Sequence, residues 1–209
     1  MTDHYYSESP KSEHDINNLF FTFNNKNFEF RTDSGVFSKN EIDKGTTILL
    51  KTLPELDGKI IDMGCGYGVI SIVLKSTYPN LDVYGIDINS RAIELAKYNA
   101  IKNKVDVNFI QSDGNTAKIK DVDYAIINPP IRAGKEVVYR LFSELQSALK
   151  DKGTMFIVIR TKQGAKSAVE YLKKLFKVVD TLEIKSGYRV LKCEEKIQWH
   201  TMMSFLIFT

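Results

Sequence analysis

The chain predicts an α/β domain of the doubly wound kind, a mostly parallel sheet covered by helices on both faces. Three observations predict it. From Lys59 onward, short runs rich in β-branched residues alternate with longer segments of helical period. Gly64, Gly66 and Gly68 follow the first run at once, where such a sheet turns from strand into helix. The length, 209 residues, suits one domain with a small extension.

Taken in order, Asn27 to Arg31 reads as an edge strand and Lys44 to Leu53 as a helix. Lys59 to Met63 is a buried strand, and Val69 to Ser76 has the length and composition of a helix. Leu81 to Ile86 is the next strand. Between Ser90 and Asn103, Ile93, Ala96, Lys97 and Ala100 recur at helical spacing, and Val105 to Ile110 follows as a strand. Asp123 to Ile127 is the fourth strand of the alternation. A helix from about Glu136 to Lys150 leads through Gly153 into the apolar run Thr154 to Ile159. Lys166 to Phe176 repeats the helical pattern through Val169, Leu172 and Phe176. Val178 to Ile184 and Tyr188 to Cys193, joined across Ser186 and Gly187, read as a hairpin, so the last pair is antiparallel. This divides the chain into a polar flexible leader over residues 1–18, the folded domain over 19–196, and a tail over 197–209 to which the sequence assigns no role.

Composition narrows the function classes. Hydrophobic residues at 43% and charged residues at 26% are ordinary globular values, and a net charge of +3 does not by itself announce a nucleic-acid or membrane partner. The distribution is more telling, because residues 150–192 hold 11 basic against 4 acidic residues while residues 1–149 hold 17 against 20. Only Cys65 and Cys193 occur, far apart, so neither a disulfide framework nor a paired-cysteine metal site is written here. No metal is expected. Without an apolar leader or an 18-residue apolar run, the expected setting is cytoplasmic, with no membrane partner.

The glycine turn implies close approach of a ligand, since glycine leaves no Cβ in the way. Dinucleotide enzymes more usually carry G-x-G-x-x-G, and here the third glycine comes one residue early. Asp62, just before the turn, repels a pyrophosphate and suits a ligand bearing an ammonium and a sulfonium. That favours S-adenosylmethionine. Asp87, about 20 residues past the turn, stands where a carboxylate accepts from ribose hydroxyls. Asp113 is placed to accept from an adenine amine, with Gly114 fitting beneath the ring. Each acid taken alone is as well read as a capping or loop residue, but three at successive strand ends are not.

Asn128-Pro129-Pro130-Ile131 ends the fourth strand beside that turn. Two prolines hold the backbone extended and remove two N–H donors, leaving carbonyls to face a bound group. The Asn128 side-chain oxygen and the Pro129 carbonyl suit the two hydrogens of a planar NH2 group.

These residues together, Ile60 to Gly68 (IIDMGCGYG), Asp87, Ser112-Asp113 and Asn128-Pro129-Pro130, resemble the motif series of class I S-adenosylmethionine-dependent methyltransferases, within them the methyltransferase small domain. The run NPPIRAG from Asn128 to Gly134, with Gly35-Val36-Phe37-Ser38 and Asp43-Lys44-Gly45-Thr46, is similar to the small-subunit ribosomal RNA guanine-N2 methyltransferases. The resemblance implies a Rossmann-like seven-stranded sheet and methyl transfer to a guanine exocyclic amine, with ribosomal RNA or the small ribosomal subunit as partner. It implies that Asp62, Gly64 and Gly66, with Cys65 between them, hold the methionine end. It gives Asp87 and the adjacent Ile88 to the ribose, Asp113 and Gly114 to the adenine, Phe37 to the wall over the cofactor, and Asn128, Pro129, Pro130 and Ile131 to the target. Two departures stand out. The chain is too short for the second, degenerate domain copy of the bacterial relatives, and Ile131 replaces the aromatic residue that many amino-methylating relatives place after the prolines.

Arg132, Lys135, Arg160, Lys162 and Lys166 are candidates for phosphate contacts, although a solvated helix face accounts better for Lys166, with Lys173, Lys174 and Lys177. Three other readings remain beside the guanine-N2 one. They are an adenine-N6 or protein-glutamine methyltransferase, a non-catalytic RNA-binding module, and a dehydrogenase, which the glycine spacing disfavours.

Overall fold

The computed structural model describes residues 8, 10, 12–116 and 119–198. Its central sheet is built from β3 (Lys59–Met63), β4 (Asp82–Asp87), β5 (Asn108–Gln111), β6 (Val122–Ile127), β7 (Leu149–Arg160), β8 (Phe176–Lys185) and β9 (Tyr188–Lys196). Its seven strands lie in the order β5-β4-β3-β6-β7-β9-β8, and β9 alone runs opposite to the other six.

Burial of both faces follows from the alternation along each central strand. Ile60, Ile126, Phe156, Val158 and Val190 point to one face, where they meet α1 (Lys44–Thr52), α2 (Val69–Thr77) and α3 (Ser90–Lys102). Ile61, Met63, Ala125, Ile127, Met155, Ile157 and Leu191 point to the other, against α4 (Lys135–Ala148) and α5 (Ala165–Leu172). The expected helix over 166–176 therefore stops at Leu172, and Phe176 begins β8. The strand expected from Val105 starts only at Asn108, whereas β7 extends back to Leu149, which pairs with Val122.

One placement differs from the sequence reading. Lys26–Thr32 (β2) is no edge of the main sheet; it pairs with Asn17–Phe23 (β1) in a separate two-stranded sheet, through a tight turn in which Asn24 and Asn25 have φ of 47° and 60°. This hairpin lies on α3, whose side chains complete its open edge. Asn99 accepts from the Arg31 amide at 2.7 Å and donates to the Arg31 carbonyl at 3.0 Å. Asn103, one turn later, does the same for Glu29 at 3.1 and 2.8 Å.

The described part of the expected leader also has defined contacts. Arg91 donates to the carbonyls of Pro10 and Ser12, and Asp33 accepts from His14 and the Asp15 amide. The tail from Trp199 lies outside the described residues. Among the described residues, no helix is long and apolar enough to cross a membrane, and no cluster of His, Cys, Asp or Glu is placed to hold a metal ion.

Candidate active site

The chain winds from β3 to β5 in one direction and then returns to place β6 on the other side of β3. Crossovers diverge there, leaving a crevice beyond the carboxyl ends of β3 and β6. The register pairs Met63 with Ile127, so Gly64 and Asn128, the next residue of each strand, stand side by side at that crevice.

A cavity of about 250 Å³ fills it, lined by Gly64, Gly66, Asp87, Ile88, Asp113, Gly114, Asn128, Pro129, Pro130 and Phe37, among others. Ten of the thirteen residues predicted for the site therefore share one cavity wall. Gly64 and Gly66 have φ of 71° and 54°, and a Cβ on either would meet nothing within 4 Å. Their bareness serves the cavity and not protein packing. Asp87 is fixed at its rim, Oδ2 accepting from the Gly66 amide at 2.8 Å and Oδ1 from the Asn89 amide at 2.9 Å. Burial pushes its carboxyl up, against the lowering pull of these amides. With the Ile88 amide as a third donor, the carboxylate still keeps an acceptor site for a ligand hydroxyl.

Three of the predicted residues lie off this wall. Asp62 does not line the cavity. It is buried behind the turn, where Oδ2 accepts from the Ser71 amide at 3.1 Å and the Ser71 hydroxyl at 2.6 Å. Burial raises its carboxyl to about 7. Asp62 thus joins β3 to the first turn of α2 and sets the turn's shape from below. Cys65 is also off the main cavity, facing a small recess of about 50 Å³ that it shares with Asp43, Thr46 and Asn128. Burial, with Asp87 and Asp62 nearby, raises its thiol, so it is a neutral filler. Ile131 opens a short 3₁₀ turn that carries it out of the cavity. Gly114 lines the cavity, but its φ of 99° already favours glycine, and a Cβ there would press on the Leu141 side chain of α4.

The structure adds residues that no motif marked. Arg140 of α4 donates to the Asp113 carbonyl at 2.7 Å and approaches its carboxylate at 3.6 Å, holding the third acid at the mouth. Leu141, Val137, Met63 and Ile86 make the floor apolar.

A second cavity, of about 360 Å³, opens on the far side of Asn128. Phe37, Asn128 and Pro129 belong to both walls, and Ile131, Arg132, Arg160, Gln163 and Tyr188 line the second. At the junction the Asn128 amide nitrogen donates to Asp43 Oδ2 at 3.1 Å and Thr46 Oγ1 at 3.2 Å. The Pro129 carbonyl accepts from the Ile131 amide at 2.9 Å and keeps one lone pair.

The first cavity fits S-adenosylmethionine: a bare glycine turn, carboxylates at the ends of β4 and β5, and an apolar floor. Residues 27–192 match the family model described as methyltransferase small domain. An uncharacterized Bacillus subtilis protein, YbxB, is 42% identical over 200 residues, 93% of this chain and 100% of its own length. Ribosomal RNA small subunit methyltransferase C of Psychromonas ingrahamii is 31% identical over 83% of this chain and 50% of its own length. That of Photobacterium profundum is 38% identical over 52% of this chain and 32% of its length, so the chain spans from a third to a half of these longer relatives. Among solved structures, the T. thermophilus 16S rRNA N2 G1207 methyltransferase in complex with AdoMet and guanosine superposes with a TM-score of 0.79 at 21% identity, over 89% of this chain and 52% of that one. The chain belongs to the methyltransferase small domain family and is an S-adenosylmethionine-dependent methyltransferase.

Proposed function

We propose that the protein methylates the exocyclic N2 amine of a guanine in small-subunit ribosomal RNA. The observation that carries this reading is the junction of two cavities at Asn128, one fitted to the methyl donor and the other open to a planar base. Gly64 and Gly66 hold the methionine end of the donor, Asp87 its ribose and Asp113 its adenine. When bound, S-adenosylmethionine would supply an electrophilic methyl group, taken by the target nitrogen as the carbon–sulfur bond breaks to release S-adenosylhomocysteine and the nitrogen gives up one proton to water.

The chain's own residues then supply alignment. The Asn128 oxygen and the Pro129 carbonyl accept the two hydrogens of the target amine, which aims the nitrogen lone pair across the junction. Alignment of this kind is worth roughly 7 to 11 kcal/mol of barrier. Phe37, at the shared wall, offers the flat surface that Ile131 does not, and Ile131 adds aliphatic contact from the second cavity. A base within folded RNA is unstacked, or already unpaired, before it enters. Around the second cavity Arg132 and Arg160, with Lys162 and Lys166 on the following segment, have no acidic partner within ion-pair distance among the described residues. They suit phosphates.

Incubation with labelled S-adenosylmethionine and total RNA, DNA or protein from a strain lacking the protein tests the reading. Label recovered as N2-methylguanosine in small-subunit RNA supports it; label in adenine or glutamine, or none with RNA binding retained, overturns it.

A further inference from the structure

An asparagine amide has nearly the same shape when its oxygen and nitrogen exchange places, yet only one orientation serves an amino target. With the nitrogen forward, two N–H groups would face two N–H groups. Asn128 therefore needs a partner that distinguishes its two ends, and a carboxylate does so because it only accepts. Asp43 stands in that position. Its Oδ2 lies 3.1 Å from the Asn128 nitrogen, with Thr46 Oγ1 at 3.2 Å taking the other N–H.

Asp43 is itself held from two sides. Oδ2 also accepts from the Thr46 amide at 2.9 Å, capping α1, and Oδ1 accepts from the Tyr188 hydroxyl at 3.2 Å. The Tyr188 oxygen in turn accepts from Arg160 Nε at 2.9 Å. Burial and then the Asp43 charge push the Tyr188 hydroxyl up, keeping it a protonated donor. An independent observation is Gly45. A Cβ there would lie 2.6 Å from Tyr188 Cε1, so this glycine lets the first turn of α1 come against the tyrosine ring.

We propose that Asp43, seated by Tyr188 and Arg160, is a positioning residue that locks the Asn128 amide with its oxygen toward the methyl-accepting amine. The proposal rests on the methyl-transfer reading of Asn128 and goes beyond it, naming what fixes the orientation that reading requires.

Two measurements test it. In protein labelled with 15N-asparagine and saturated with S-adenosylhomocysteine, the Asn128 side-chain amide pair, assigned by its loss in Asn128→Ser, is expected to exchange slowly with water. In Asp43→Ala it is expected to exchange at least about tenfold faster, with Asn89 and Asn99 unchanged, and equal protection in both proteins overturns the proposal. In turnover, Asp43→Ala and Asn128→Asp are each expected to lower kcat by about 100-fold, the scale of a small misplacement, with the KM for S-adenosylmethionine within twofold of wild type. The reciprocal pair Asp43→Asn with Asn128→Asp restores a donor facing a carboxylate and leaves an oxygen for the target. Recovery to within about tenfold of wild type supports positioning, because a merely structural loss would deepen in the double variant. Absence of recovery overturns it. If wild-type protein methylates no RNA, the guanine reading fails, while the amide-exchange measurement still decides the role of Asp43.

Discussion

Asn128 belongs to both cavities, and its side chain is the one predicted polar side chain shared between them. Asn128→Ala is expected to reduce labelled methyl transfer to background while isothermal titration gives an S-adenosylmethionine Kd within twofold of wild type. Asp62 shows the opposite arrangement, a predicted ligand group that acts from behind. It is 1% exposed, with Oδ1 unpartnered and its carboxyl raised from 3.8 to about 7 by burial. The folded protein then binds more protons than the unfolded chain between about pH 4 and 7, so stability falls as pH rises through that window. Urea denaturation across that range is expected to show wild type losing stability relative to Asp62→Asn, at up to about 1.4 kcal/mol per pH unit. Parallel pH profiles would show that Asp62 does not titrate there. The acids at strand ends were legible because each sits at a fixed offset from a strand. Whether a carboxylate faces the ligand or the underside of the turn depends on a helix packed later, and Ser71 decides it for Asp62.

At the scale of elements, the alternation marked every central strand, and the two buried faces explain why. The β1–β2 hairpin was only half legible, since Leu19, Phe21 and Phe23 alternate as a strand should, but the signal was the Asn24-Asn25 turn between two such runs. Its mate on α3 was not legible at all. Asn99 lies 68 residues from Arg31 in sequence, and an asparagine in mid-helix carries no mark of serving a strand edge. Buried completely, Asn99 also donates to the Tyr67 carbonyl at 2.9 Å and so links the hairpin to the glycine turn. Asn99→Ala removes the partner of the buried Tyr67 carbonyl and of the half-buried Arg31 amide and carbonyl, and is expected to cost on the order of 3 kcal/mol, read from urea midpoints at unchanged m-value. A loss under about 0.5 kcal/mol would show that the stitch is dispensable. Arg140 and Leu141 escaped notice for the same reason, since α4 brings them over the cavity only once it packs.

Across the whole molecule, the basic surplus of residues 150–192 divides by position. Lys150, Lys173, Lys177 and Lys192 pair with Asp123, Glu170, Glu195 and Glu194. Arg160 and Lys162, at the carboxyl end of β7, have no such partner among the described residues, and Arg160 lines the second cavity with Arg132. Net charge therefore understates the field at the mouth. Fluorescence anisotropy with a labelled RNA hairpin from 50 to 200 mM salt is expected to give a steep loss of affinity, and Arg132→Ala with Lys162→Ala to flatten the log–log slope by about 1 to 2. An unchanged slope would place the RNA elsewhere. Topology adds one more consequence. β9, the last strand among the described residues, is inserted between β7 and β8, and its first residue, Tyr188, reaches Asp43 across 145 residues of sequence. Before β9 docks, the sheet has an open slot between β7 and β8, and Asp43 lacks the Tyr188 hydroxyl. Docking of β9 is thus the assembly step that closes the sheet and completes the contacts behind Asn128 at one stroke.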